Sequence, residues 1–149
     1  MVIVTHCEFP NDFYIFPAEP LSGSGLKFSN NVSMGDLEIG SDMSFVHEGL
    51  HLLLNERWAK NEDIIEIIKK SNYKDDFYNS WIAKYEQALV IGLDCCIQNS
   101  NDKRAENYYK SCNVDNVFNV AYPLIKNYYD NDCNESIEKL MFNIIKQTI

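Results

Sequence analysis

Two histidines four residues apart, with a glutamate directly after the first, are the residues of this chain best suited to chemistry. They lie in the stretch Ser44-Phe45-Val46-His47-Glu48-Gly49-Leu50-His51. On a helix, residues i and i+4 stack on one face, so His47 and His51 can reach a single metal ion. Glu48 sits about 100° further round, close enough to meet a metal-bound water without ligating the metal itself. Two neutral imidazoles, one open coordination position and a carboxylate base are the parts of a zinc hydrolase site. In a strand the three side chains would point to both faces, and no site would form.

The surroundings favour this reading. The chain has three histidines, and two of them are in the motif. Phe45, Val46, Gly49, Leu50, Leu52 and Leu53 carry no charge, as a buried active-site helix requires, and no proline falls between Asp42 and Trp58. The alternative is an ordinary core helix with two satisfied histidines. It would bury Glu48 and two imidazoles among aliphatics, at roughly several kcal/mol unless each finds a partner.

Such a site needs a third protein ligand. The helical pattern from Asp75 to about Asn99 has a buried stripe of Ile82, Glu86, Leu89, Val90, Leu93 and Ile97. A carboxylate in that stripe is costly unless something positive meets it, so Glu86 is the expected third zinc ligand. It could instead pair with a lysine or arginine, or lie at the edge of the stripe. His6 and Asp94 are competing candidates, and Asp94 could act as an acceptor orienting an imidazole N–H.

The elements that must position these residues read as strands first and helices after. Val2–Thr5 and Phe13–Phe16 are β-branched or aromatic runs separated by a Pro10-Asn11-Asp12 turn signal. Leu26–Ser29 and Asp36–Ile39 alternate apolar with polar, with turn candidates at Asn30-Asn31 and Met34-Gly35. Ser41 or Asp42 caps the motif helix. Glu62 to Lys70 is a short helix, and Arg104 to Lys110 another. Val114 to Tyr129 is helical, with Pro123 expected to kink or divide it. Asp132 and Glu135 are spaced as a capping pair for a last helix with Ile137, Leu140, Met141, Ile144, Ile145 and Thr148 on one side.

At 149 residues the simplest organisation is one metallopeptidase-like domain, strand-rich over 1–40 and helical over 41–149, either free-standing or cut from a longer protein. The expected fold class is α+β: a small antiparallel or mixed N-terminal sheet, then the active-site helix and a mostly helical C-terminal half. Hydrophobic content of 46% opposes disorder. A formal charge of −9 disfavours nucleic acid and anionic membrane as partners. No run of eighteen apolar residues and no signal peptide is visible, which implies a cytoplasmic protein if the chain is full length. Cys7, Cys95, Cys96, Cys112 and Cys133 are an odd, irregular set, read as buried reduced thiols.

Strands, then a His-Glu-x-x-His helix, then a helix carrying a glutamate: in this order the chain resembles the zincin metallopeptidases, and among them the gluzincins, over about Leu26 to Ile97. The resemblance implies one zinc ion held by His47, His51 and Glu86, with Glu48 as general base, acting on a peptide or protein substrate laid along the edge strand Asp36–Ile39. It implies hydrolysis of a peptide bond by metal-activated water, with Glu48 passing the proton to the leaving amine. An oxyanion stabiliser is also implied, for which Tyr85, Tyr108 and Tyr109 are candidates. The alternative function is a zinc-binding or acidic helical protein-interaction module without catalysis.

Overall fold

From residue 42 onward apolar residues recur at intervals of three and four, the spacing that buries one stripe of a helix. The computed structural model, which describes residues 15–17, 25–28, 31–34, 42–54, 57–70 and 81–149, turns that pattern into six helices. The chain divides into two compact units, residues 1–55 and 56–149.

In the first unit three short strands, β1 (Ile15–Pro17), β2 (Gly25–Phe28) and β3 (Asn31–Met34), form a sheet in the order β1-β3-β2. β3 is parallel to β1, with Ile15 opposite Val32, and antiparallel to β2, with Phe28 opposite Asn31. That register joins β2 and β3 through two residues, the shortest common hairpin connection. Asn31 and Met34 are therefore strand ends rather than turn residues. Helix α1 (Asp42–Leu54) packs against β2 and β3. The expected strands at Val2–Thr5 and Asp36–Ile39 lie outside the described residues.

The α+β, zincin-like class expected from the sequence is corrected. The strands run for three, four and four residues, whereas the helices run for nine to seventeen. From residue 46 on, the described residues contain no strand, and the buried core they form is all-helical. The described strands are too short to set the class.

The second unit starts with a 3-10 turn (Trp58–Lys60), followed by α2 (Glu62–Lys70), α3 (Trp81–Ile97) and α4 (Asp102–Ser111). A second 3-10 turn (Asp115–Val117) then leads into α5 (Phe118–Asp130) and α6 (Ile137–Thr148). Side-chain caps fix three of the starts. Asn61 Oδ1 accepts from the Ile64 amide at 3.1 Å, Asn101 Oδ1 from Arg104 at 2.9 Å, and Ser136 Oγ from Lys139 at 3.2 Å. The cap of α6 is thus Ser136, not Asp132. Asp132 and Cys133 take positive φ (56° and 54°) in the turn before it, a conformation that Asp tolerates better than most residues.

α3 packs against α4, α5 and α6. Gly92 permits the closest approach: a Cβ there would lie 2.5 Å from Ile125 Cδ1 and 2.8 Å from the Tyr109 hydroxyl. Tyr109 reaches across to donate its hydroxyl proton to the Ala88 carbonyl at 2.6 Å. Pro123 neither ends nor divides α5, which runs on to Asp130. It is exposed, so its ring stands clear of the packed face. Among the described residues no helix is long and apolar enough to cross a membrane.

Candidate functional site

α1 forms because a proline-free, mostly apolar run follows Asp42, and Leu50, Leu52, Leu53 and Leu54 on it are buried. The helix sets His47 and His51 one above the other. Their ring centroids are 4.9 Å apart, with the planes at 71°. Two imidazoles sharing one tetrahedral ion through bonds of about 2 Å would have ring centres about 5 Å apart. The spacing of the pair is compatible with a shared ion.

The electrostatics of α1 suit the same use. His47 and Glu48 are each only 8% exposed. Burial, and after it the neighbouring His51, pushes the His47 pKa down to about 3, so the ring is held neutral, the form that ligates metals. Burial raises the Glu48 carboxyl above its ordinary range, and His51 pulls it partly back. A carboxylate of raised basicity next to two histidines is suited to accepting a proton from water.

The other candidates are placed differently. Glu86 is on α3 in the second unit and half-buried. Its Oε2 accepts a hydrogen bond of 2.9 Å from the indole Nε1 of Trp58, which is fully buried. The expected positive partner is thus joined or replaced by a neutral donor. The signal for it was Trp58 itself, since a buried indole N–H needs an acceptor, but nothing in the sequence names an acceptor 28 positions away. Asp94 is fully buried, and neither carboxylate oxygen has a hydrogen-bond partner among the described residues, so it orients no imidazole there. His6 lies outside the described residues. Among them no group of three His, Cys, Asp or Glu side chains is placed to hold a metal ion; what α1 brings together is the histidine pair with Glu48.

Of the candidate oxyanion donors, Tyr85 is buried and Tyr109 spends its hydroxyl on the Ala88 carbonyl. Cys95, Cys96, Cys112 and Cys133 are reduced thiols outside any disulfide, and all but Cys112 are buried. Burial is the main cause that pushes Cys95 up to about 12 and Cys96 up to about 11, which keeps both as unreactive thiols. Comparison with known proteins finds no matching family model, no matching curated protein and no matching solved structure.

Proposed function

We infer that the chain is a zinc-dependent peptidase in which His47 and His51 hold the metal and Glu48 is the general base. The observation that carries the reading is the 4.9 Å spacing of the two rings on α1, with Glu48 buried between them in sequence. Zinc, when bound, supplies Lewis acidity toward a carbonyl and toward water. Glu48 takes a proton from the attacking water and returns it to the leaving amine. Burial of His47 keeps its ring free of the proton that would compete with a metal. Glu86 is proposed as the third ligand on chemical grounds: it is a half-buried carboxylate on the helix carrying the next stripe, and such a site uses three protein ligands.

Metal analysis followed by Glu48→Gln tests the reading. Zinc near one equivalent, together with hydrolysis of a peptide mixture that vanishes in Glu48→Gln while zinc stays bound, is the expected result. Zinc without hydrolysis in the unaltered chain would replace the enzyme with a binding module. A chain that takes up no zinc would leave only an acidic helical interaction protein.

A further inference from the structure

The last turn of α3 buries a carboxyl group that has no hydrogen-bond partner among the described residues. Asp94 has no exposed surface, and neither of its oxygens is hydrogen-bonded among the described residues. A carboxylate in that state is strongly disfavoured. Its position makes ionisation worse. Asp94 stands three residues before Ile97, the end of α3, and the last turn holds no basic residue; the C-terminal end of a helix dipole already presents partial negative charge there. The charged group acting on it from α4 is Arg104, an exposed residue. The groups brought to this end of α3 by α5 and the turn after it (Lys126, Asp130 and Cys133) act on Cys96 instead. α6 contributes Ile137, Leu140, Met141, Ile144 and Ile145 as its buried side chains.

We propose that Asp94 is a pH switch: the folded chain holds it as the neutral acid, and its ionisation releases the C-terminal turn of α3 and the junction with α4. The segment that would respond is small. The Gln98 amide bonds the Asp94 carbonyl at 2.9 Å, the Asn99 amide bonds Cys96 at 3.1 Å and the Ser100 amide bonds Cys95 at 2.8 Å. Asn99 turns the chain with φ 51°. These bonds close the helix end directly over the buried acid.

Burial raises the Asp94 pKa from 3.8 to about 7, against a smaller pull downward from Arg104. The sign follows from proton counting. Between pH ~4 and ~7 the unfolded chain has released the proton while the folded chain keeps it, so the contribution of Asp94 to stability is full below pH ~4 and falls as pH rises toward 7. Thermal unfolding of the full chain and of Asp94→Asn from pH 4 to 8 tests this. Asn keeps the shape of the neutral acid and cannot ionise. The Asp94→Asn midpoint should pull ahead of the unaltered chain by on the order of 10 °C by pH 8. Groups such as His47 give both proteins a common acid limb, so the readout is the difference between them.

Amide exchange of Gln98, Asn99 and Ser100 should lose protection by pH 8, beyond the intrinsic acceleration, in the unaltered chain and not in Asp94→Asn. Parallel midpoints across the range, or an Asn variant less stable at every pH, would overturn the proposal. If the variant fails to fold, a carbon NMR titration of the Asp94 carboxyl in the unaltered chain decides: a midpoint near 7 supports the switch, and one below about 5 removes it.

Discussion

The indole N–H of Trp58 is held by a carboxylate oxygen of Glu86, Nε1 to Oε2 at 2.9 Å, across 28 residues of chain. Trp58 is fully buried in the 3-10 turn before α2, and Arg57 beside it is paired to Glu138 of α6 at 3.1 Å. The donor is therefore fixed in place by its own surroundings. A carboxylate has about four lone-pair sites, so a donor on Oε2 is compatible with a metal on the same group.

Trp58→Phe keeps most of the ring and removes the donor. Loss of that bond should cost about 1–3 kcal/mol in metal-free thermal or urea unfolding. Where Glu86 is a ligand, losing its supporting donor should also weaken zinc binding by roughly tenfold to a hundredfold. Glu86→Gln separates the two effects, because the amide oxygen can still accept from Trp58. Metal-free stability should stay close to that of the unaltered chain while zinc affinity drops. Undiminished zinc affinity in Glu86→Gln would remove Glu86 from the ligand set.

Gly92→Ala should destabilise the chain although alanine is the better helix former. The helix preference favours the change by about 1 kcal/mol, but the added methyl would meet Ile125 Cδ1 at 2.5 Å and the Tyr109 hydroxyl at 2.8 Å. Overpacking of this kind costs about 1–3 kcal/mol, so the net change is a loss of up to about 2 kcal/mol. Ile125→Val removes the nearer atom and should restore part of that loss in the double variant. A Gly92→Ala chain that melts higher than the original would show that α3 and α5 have room to separate.

How much of this was legible depends on the range of the interaction concerned. The spacing of His47 and His51 is local, and a helix turns it directly into a 4.9 Å ring pair. α2 is found at Glu62–Lys70 as read, and all five apolar residues read on one side of α6 are buried, because amphipathic period is also local. The Trp58–Glu86 bond depends on tertiary packing and leaves no local trace. The α+β class does not hold because an alternating apolar pattern shows where a strand can form but not how much of the fold it builds, and the described strands are only three or four residues long. Pro123 does not divide α5, because an exposed ring can ride on a continuous helix.

Ser136→Ala should cost about 1 kcal/mol, since it removes the Oγ that accepts the Lys139 amide at 3.2 Å. Asp132→Ala removes no cap. Its expected penalty is smaller and comes only from placing alanine at φ 56°. Urea midpoints of the two variants rank them. A larger loss in Asp132→Ala would return the start of α6 to the Asp132–Glu135 pair.

Zinc should stabilise the folded chain by mass action, and the response identifies the ligands. A ligand binding only the native state adds about 2.7 kcal/mol at a free concentration one hundred times its Kd, several degrees in the unfolding midpoint for a chain of this size. The rise should appear in the unaltered protein and persist in Glu48→Gln, because Glu48 is proposed to move a proton and not to hold the metal. It should be lost in His47→Ala and in His51→Ala, each of which leaves α1 one imidazole short. A chelator should reverse it only where it occurs. If His47→Ala still gains the full increment, the ion is bound elsewhere on the chain and the ring pair on α1 is a packing contact.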